Sequence, residues 1–333
     1  MAEICFWPET IERWRKEGLP AEMAPSDYFG LDKIAQFSFD CSLRLPEKIL
    51  EETPEWTVAV DKNGVTMKSW KTNYATPLEM DFTVKTRADW EQLKKGLDVD
   101  WQRYGNETVE AMHRSRPNGQ FVTISPVEPC WYALRTIGLK ETLELMLMEP
   151  EFIEDVIATQ TDFILAMLEL GLNKGLKFDA VWFFADLCYK NGMLFSPAVY
   201  QKMVMPYHKK IRAFCSKHNL FLILHCDGDV RQFISLVIKA GFDCIQPLEA
   251  RTGNDVRKLK KEYGRDLAFF GNINMDVLAR GIAREIEEEV VSKVMVAKEG
   301  GGYIFHSDHS VPPTVSFASY RLAVDLARKH GGY

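Results

Sequence analysis

The chain has 333 residues, of which 46% are hydrophobic and 26% are charged, and its formal net charge at pH 7 is −6. These proportions are typical of a globular protein with a large core. Nucleic acids and anionic membranes are bound by clustered Lys and Arg, and the sequence has no long basic run, so it favours small molecules or other proteins as partners.

The cysteines and the N-terminus indicate where the protein works. Seven cysteines are scattered along the chain without a C-x-x-C pair. This usage is typical of reduced thiols rather than of a disulfide framework. The N-terminal residues lack a basic leader followed by an apolar run, and no apolar stretch has the length needed to span a bilayer. We therefore expect a cytoplasmic protein.

The first 120 residues read as irregular structure around a β-hairpin. Residues 3–6 (EICF) are a candidate first barrel strand, and residues 37–45 (FSFDCSLRL) are another possible strand. Residues 56–70 (WTVAVDKNGVTMKSW) alternate around an Asn-Gly turn, which predicts a hairpin. A helix is expected over 86–96. We interpret about residues 30–110 as a cap inserted into the fold.

From residue 121 onward, short apolar runs alternate with amphipathic helical patterns. Runs that are apolar on both faces are typical of parallel strands covered by helices, which predicts a (β/α) barrel or a doubly wound sheet. In the helical segment after residue 228, Asp229 is a predicted N-cap and Gly241 a predicted end. The six runs are Phe121–Ser125, Ala180–Asp186, Phe221–Gly228, Cys244–Ala250, Leu267–Asn274 and Tyr303–His309.

Polar residues follow nearly every one of these runs. The carboxyl ends of the strands of a barrel meet at one mouth, so the sequence predicts a ring of carboxylates, imidazoles and amides there. A lone carboxylate at such a place is about as often a helix N-cap as a catalyst. The strand-end residues are Glu128, Asp186, His225, Asp227, Glu249, Asn272, Asn274, His306, Asp308 and His309.

Other candidates have simpler interpretations. His208, His218 and His330 lie in Lys-rich helical patterns, which predicts solvated surface histidines. Cys226 follows His225 and points to the other side of the strand, as expected for a buried thiol. The aromatic residues near the strand ends, Trp131 and Tyr189, fit either the core or a pocket wall.

Four segments carry a resemblance to a known family. They are "DFTVKTRADWEQLKK", "DLCYKNGMLFSPAVYQKMVMPYHKKI", "FGNINMDVLARG" and "GGYIFHSDHSVPP". On these segments the chain resembles the uroporphyrinogen decarboxylase superfamily, and within it the corrinoid-dependent methyltransferases of O-demethylation. The resemblance implies one distorted (β/α)8 barrel of the TIM type over residues 1–333, with a hairpin insertion.

The sequence departs from both branches of that superfamily. The Arg-rich N-terminal loop of the decarboxylases is absent. The thiol methyltransferases hold zinc through His-x-Cys and a distant Cys, and the matching positions here are His225, Asp227 and His309. Such a set binds a divalent metal such as zinc. The competing interpretation is a metal-free ring of acids and bases.

The resemblance implies transfer of a methyl group from a methoxylated donor, an aromatic compound such as a methoxyphenol, to the cobalt of a corrinoid (cobalamin). The chain lacks an Asp-x-His-x-x-Gly corrinoid motif, so we expect a partner corrinoid protein. Strand-end residues would activate the leaving oxygen. The catalytic candidates are His225, Asp227, His306, Asp308 and His309, and the substrate-binding candidates are Glu128, Trp131, Asp186, Tyr189, Glu249, Asn272 and Asn274.

Two alternatives remain at this point. The first is a decarboxylating lyase, which needs a cation for the substrate carboxylate, and Arg135 and Arg251 are the candidates. The second is a non-catalytic barrel that binds and delivers a corrinoid or tetrapyrrole. The sequence leaves the methyl donor open among methoxylated aromatics, methylamines, betaine and methanol, and a homodimer is compatible with it.

Overall fold

The computed structural model describes residues 1–71 and 76–332. The fold is α/β, and the strands alternate with helices over most of the chain. The strands are β1 (Ile34–Phe37), β2 (Lys48–Glu52), β3 (Trp56–Val60), β4 (Val65–Trp70), β5 (Leu78–Phe82), β6 (Phe121–Ile124), β7 (Ala180–Phe184), β8 (Cys188–Tyr189), β9 (Gly192–Met193), β10 (Phe221–Cys226), β11 (Cys244–Pro247), β12 (Ala268–Phe270) and β13 (Tyr303–Ile304).

Helices cover the outer face of the sheet. A π-helical turn at Tyr200–Val204 joins the helices at Pro197–Val199 and Met205–Lys217. The helices are α1 (Pro8–Lys16), α2 (Pro25–Tyr28), α3 (Arg87–Leu93), α4 (Asn106–Ser115), α5 (Pro129–Thr136), α6 (Leu139–Met148), α7 (Pro150–Asn173), α8 (Pro197–Val199), α9 (Met205–Lys217), α10 (Ile234–Ala240), α11 (Val256–Tyr263), α12 (Met275–Arg280), α13 (Ala283–Ala297) and α14 (Phe317–His330).

Seven parallel strands form the central sheet, in the order β1-β6-β7-β10-β11-β12-β13. Each of the six predicted apolar runs contains one of these strands, so the predicted α/β fold of the distorted barrel type is confirmed. Within β7, Val181 and Phe183 pack against the surrounding helices, while Trp182 packs inside the sheet. Burial on both faces explains why the runs are continuously apolar.

The N-terminal segment lies between the two edges of the curled sheet. The backbone N–H of Asp32, next to β1, donates to the carbonyl of Met1 at 2.7 Å. The N–H of Ala2 donates to the carbonyl of Phe305, next to β13, at 3.2 Å. Phe6 forms a parallel bridge with Val311. Residues 1–6 thus occupy the closing position of the barrel, although only Phe6 has bridge geometry.

The region expected as a cap contains both a barrel strand and a separate sheet. Strand β1 pairs in parallel with β6, so the barrel begins inside the range that we assigned to the insertion. Residues 38–45 form no strand. Strands β2 to β5 form an antiparallel sheet, and β3 and β4 are the predicted hairpin, with Trp56 opposite Trp70.

Two of the observed helix ends lie where the sequence predicts them, and one does not. Thr86 and Asp89 form a reciprocal capping box at the start of α3. Gly241 ends α10 with φ of 93°, a conformation that glycine adopts without strain. The prediction that Asp229 caps α10 is wrong, because the helix begins at Ile234 and Asp229 binds the N–H of Arg231 instead.

Among the described residues, no helix has the length and apolarity to cross a membrane.

Candidate active site

Four ionisable side chains meet at the carboxyl end of the barrel. Asp186 follows β7, His225 and Asp227 lie at the end of β10, and His309 follows β13. The Nε2 atom of His225 lies 3.6 Å from Asp186 Oδ1 and 3.8 Å from Asp227 Oδ2. The Nε2 atom of His309 lies 3.5 Å from the same Asp227 oxygen. We call these four residues the mouth cluster.

The imidazole of His225 is fixed by two neighbours. Its Nδ1 lies 2.5 Å from Oε1 of Gln246 on the adjacent strand, and its ring stacks on Phe184 with the ring centroids 4.6 Å apart. Gln246 Oε1 is an acceptor, so Nδ1 carries a proton. Nε2 therefore faces the two carboxylates either with a second proton or with a lone pair. A lone pair there could accept a proton donor such as a protonated Asp186 or bind a cation.

The protonation of the cluster is uneven. Burial raises the pKa of Asp186, and the positive charge of His225 only partly offsets this. Burial also acts to raise the pKa of Asp227, but hydrogen bonding from His309 and the nearby imidazoles outweigh it, so that pKa is lowered. The hydrogen bond to Asp227 raises the pKa of His309. The Asp227–His309 pair is thereby stabilised in its charged form.

The donor atoms of this cluster fit a divalent cation. One ligand atom each from Asp186, His225 and Asp227 lie within 4.8 Å of one another. Oδ1 of Asp227 is buried and has no hydrogen-bond partner. Two carboxylates and one imidazole suit Zn²⁺ or a similar ion. The set that the sequence predicted shares His225 and Asp227 with this one but had His309 in the place of Asp186.

An aromatic cavity of about 540 Å³ borders the cluster. Phe184, which stacks on His225, forms part of its wall together with Trp131 and the hairpin residues Asp61, Asn63 and Met67. We call it the hairpin cavity. The antiparallel sheet therefore contributes to the site as well as covering it.

A second, smaller cavity of about 280 Å³ lies on the other side of the cluster. His309, Trp7 and Arg251 are among its lining residues. A third cavity, of about 590 Å³ and larger than these two, is lined by Phe121 and Phe221 at the amino ends of β6 and β10. It lies at the opposite end of the strands from the mouth cluster, so size alone does not locate the site.

The charges in the hairpin cavity are mostly negative. Arg135 is among the lining residues, but its Nε atom pairs with Glu79 at 2.9 Å. Asp40 and Asp61 also line the cavity. Although burial acts to raise the pKa of Asp40, hydrogen bonds from Ser42 lower it overall, so Asp40 is held ionised. The wall of this cavity is aromatic and acidic, without an uncompensated cation among the cavity residues named here.

Two predicted acidic residues hold loops in place. Asp308 accepts hydrogen bonds from the N–H groups of Ala250 and Met275, both at 3.0 Å, and burial raises its pKa. Glu249 accepts from the N–H of Gly228 at 3.0 Å and pairs with Arg251. Both carboxylates lie beside the mouth cluster and shape the loops around it.

The two predicted asparagines have structural contacts. Asn272 is fully buried, and its amide donates to the carbonyl of Leu248 at 2.7 Å while its Oδ1 accepts from the N–H of Val256 at 3.0 Å. Asn274 caps α12 by accepting from the N–H of Asp276 at 2.8 Å. The amide of Asn272 and the side-chain oxygen of Asn274 are therefore engaged in holding the backbone.

His306 lies apart from the other predicted histidines. Its Nε2 is 2.8 Å from Oε1 of Glu3 and its ring meets Phe270 edge-on, so it anchors the N-terminal segment inside the barrel.

Trp131 lines the hairpin cavity as described above. Tyr189 is 46% exposed on the short β8–β9 hairpin, and its backbone carbonyl accepts from the N–H of Asp229.

The predictions for Glu128 and His208 need correction. Both side chains are completely buried, and His208 Nε2 lies 2.7 Å from Glu128 Oε1. The other oxygen of Glu128 caps α5 by accepting from the N–H of Trp131, and His208 Nδ1 lies 2.9 Å from the hydroxyl of Tyr200. His208 is therefore not a surface histidine, and Glu128 is engaged in packing α5 and α9 against the sheet.

Sequence reasoning missed Gln246, Phe184 and the hairpin residues Asp61 and Asn63. Gln246 could have been found, since it lies in a predicted strand whose register sets it beside His225. Phe184 precedes Asp186 by two residues and so shares its side of the strand. The position of the hairpin residues at the site depends on how the small sheet packs on the barrel, and the sequence pattern does not specify that packing.

The comparisons with known proteins agree with this fold. The model of the family described as uroporphyrinogen decarboxylase (URO-D) matches residues 80–330. The chain belongs to the uroporphyrinogen decarboxylase family. This family match covers every residue of the mouth cluster as well as Gln246 and Phe184.

Two solved structures can be compared with the chain. A methyltransferase from Methanosarcina mazei aligns with a TM-score of 0.61 and 17% identity, over 91% of this chain and 82% of that one. The alignment supports the fold. A Xaa-Pro dipeptidase with bound methionine in the active site aligns with a TM-score of 0.29 and 11% identity over 69% and 65% of the two chains, which is too weak to carry an argument. A search of curated proteins gave no match.

Proposed function

We propose that this protein is a methyltransferase that takes a methyl group from a methoxylated aromatic compound and delivers it to the cobalt of a corrinoid carried by a partner protein. The observation that carries the proposal is the stacking of His225, in the mouth cluster, on Phe184 in the wall of the hairpin cavity. Membership of the uroporphyrinogen decarboxylase family and the likeness to a methyltransferase fold support the reaction class.

The hairpin cavity suits a neutral aromatic donor. Trp131 and Phe184 supply ring faces, and Met67 supplies a polarisable thioether. The carboxylates of Asp40 and Asp61 disfavour an anionic substrate in the same space. A methoxyphenol with its ring against Phe184 would bring the ether oxygen toward the mouth cluster, because Phe184 is itself stacked on His225.

The leaving oxygen needs a proton or an electrophile, since an aryl oxide is a poor leaving group when it departs as a free anion. His309 holds a proton because Asp227 accepts a hydrogen bond from it and favours its cationic form. Asp227 Oδ2 lies near both His309 and His225, so a proton that Nε2 of His225 donates to the leaving oxygen would be replaced from His309 through Asp227. In this scheme Gln246 orients His225 and does not react.

A divalent metal such as zinc is the alternative source of activation. Asp186, His225 and Asp227 would hold it, and when bound it would supply Lewis-acid activation of the donor oxygen. The orphaned Oδ1 of Asp227 supports this variant of the proposal. Gln246 would then keep Nε2 of His225 available as a ligand by accepting a hydrogen bond from Nδ1–H.

The corrinoid cobalt supplies the nucleophile that receives the methyl group. This chain would bind and orient the donor, deliver the proton and offer a docking rim around the mouth. We propose the exposed antiparallel sheet as part of that rim, because its strand β2 is exposed along all five residues.

The lyase alternative has less support. A decarboxylase must hold a substrate carboxylate with a cation, and Arg135 and Arg251 are the candidates near the mouth. Arg135 pairs with Glu79 and Arg251 with Glu249, so each positive charge is already compensated. A substrate carboxylate would have to displace one of these partners.

Methyl transfer can be tested by spectroscopy. The protein is mixed with reduced free cobalamin and with methoxyphenols, methylamines, betaine or methanol, and the formation of methylcobalamin is followed. We expect conversion with a methoxyphenol. Carbon dioxide release from carboxylated substrates, without methylation by any donor in the presence of candidate corrinoid proteins, would reject the proposal in favour of the lyase.

A further inference from the structure

A fourth cavity, apolar and about 360 Å³ in volume, lies at the amino end of the barrel, opposite the mouth cluster. Its wall comes from every strand of the central sheet, from Ile34 on β1 to Ile304 on β13. The charged residues at its rim are Asp32, Lys33 and Asp243. We call it the basal cavity.

Small inward-facing side chains leave this space unfilled. Barrel interiors are ordinarily filled by layers of bulky branched side chains. Here the small side chains of Ala2, Cys244 and Ala268 form part of the wall. The rings of Phe121 and Phe221 stand at the outer part of the cavity, with their centroids 6.4 Å apart.

A layer of rings separates the basal cavity from the mouth. Trp182 lies 5.6 Å from Phe270 and 5.6 Å from Phe184, measured between ring centroids. Phe184 in turn stacks on His225, so the two ends of the barrel are divided by packed aromatic side chains. The basal cavity is therefore not an extension of the hairpin cavity.

Two features indicate what kind of molecule fits. The charged rim residues are all paired: Asp32 with the N-terminal amino group, Lys33 with Asp27, and Asp243 with Arg212. No rim charge among these is left for a charged ligand. Trp182 lines the cavity, is completely buried, and its Nε1–H has no hydrogen-bond partner. A buried donor without a partner costs free energy, and an acceptor seated against the indole N–H would recover it.

We propose that the basal cavity is a second ligand site, for a small uncharged ring compound that carries one hydrogen-bond acceptor. Cavities lined by apolar side chains bind ring compounds. The volume lies in the range of small-molecule pockets, and the lining supplies ring faces. The site is independent of the reaction proposed for the mouth.

Phenol and toluene are the probes, since both are small rings and only phenol offers an oxygen acceptor. Binding to the full-length protein is measured by saturation-transfer NMR and by calorimetry. We expect phenol to bind more tightly than toluene, and Ala268→Leu, which fills the cavity, to weaken binding by roughly tenfold or more. The matched control is Ala318→Leu on the exposed face of α14, which should leave binding unchanged.

Two further measurements separate this site from the mouth. Trp131→Ala, which alters the hairpin cavity, should leave basal binding unchanged. Phenol should slow the modification of Cys244 by methyl methanethiosulfonate in the wild-type protein, and this holds even if Ala268→Leu does not fold. Absence of phenol binding at millimolar concentration, or binding without protection of Cys244, would overturn the proposal.

Discussion

Two histidine–carboxylate pairs with the same chemistry lie in different surroundings. His208 and Glu128 are completely buried behind the sheet, 2.7 Å apart, and each has a further fixed partner. His309 and Asp227 lie at the barrel mouth, 3.5 Å apart, with 39% and 27% of their side chains exposed. The comparison teaches that burial determines what such a pair can do. The buried pair holds structural elements together, whereas the exposed pair is open to a reactant.

The largest expected effect is on stability, at the enclosed pair. His208→Ala leaves the carboxylate of Glu128 buried without its partner, which costs about 3–5 kcal/mol. We expect the midpoint of urea unfolding to fall accordingly, with the kcat/KM of the remaining folded protein little changed. A loss of stability below about 1 kcal/mol would break the distinction between the two pairs.

The open pair should show the reverse pattern. His309→Ala removes the proton source, so methyl transfer should slow by about 10²-fold or more, while stability changes by about 1 kcal/mol or less because the pair is partly exposed. Single-turnover rates and urea unfolding of the same preparation give both numbers. If stability falls as far as in His208→Ala while the rate is kept, the open pair is structural.

The pH dependence of stability sharpens the comparison. The pKa of Asp227 is lowered from its ordinary 3.8, and that of His309 is raised from 6.5. The stability that Asp227 contributes to the folded state is present above pH 3.8 and is lost as the pH falls through the folded-state pKa of Asp227. The stability that His309 contributes is present below pH 6.5 and is lost as the pH rises through the folded-state pKa of His309.

The stability difference between wild type and Asp227→Asn should therefore be greatest between about pH 4 and 6.5 and should shrink above this window. In the same variant the pKa of His309 falls, so the alkaline limb of kcat/KM should move to lower pH. Urea unfolding and rate profiles across pH 3.5–9 check both expectations. A difference that grows with pH would contradict the assigned pairing.

Removal of metal is expected to change the methyl-transfer rate least of all these perturbations if His309 supplies the proton. Elemental analysis and treatment with a chelator distinguish the two sources of activation. Chelation should change the rate less than about twofold in the proton-transfer variant of the account and abolish it in the metal variant. In the second case Asp186→Asn should lower metal content, whereas His309→Ala should not.

Much of the barrel can be predicted from the sequence, because buried parallel strands leave continuous apolar runs. The convergence of Asp186, His225, Asp227 and His309 follows from the same pattern. Strand β1 was missed because IAQF is only half-buried and contains a polar residue, so its run is short and mixed.

The roles of individual polar residues could be predicted only in part. Asn274 and Asp308 follow strands as catalytic residues do, yet both are capping acceptors, and the sequence pattern is the same for the two roles. His208 had a usable signal: Ile211 and Cys215 lie three and seven residues later on α9, and all three are buried. That spacing marks the buried face of a helix. The hairpin cavity depends on packing between distant segments.

The most direct test of the central claim is the rate of cobalamin methylation by His225→Ala beside that of His113→Ala, with the same methoxyphenol as donor. His225 touches the hairpin cavity wall and the carboxylates of the mouth cluster, while His113 is exposed on α4. We predict a loss of about 10²–10⁴-fold for His225→Ala and no change for His113→Ala. Equal rates in the two variants would contradict the assignment of the chemistry to the mouth cluster.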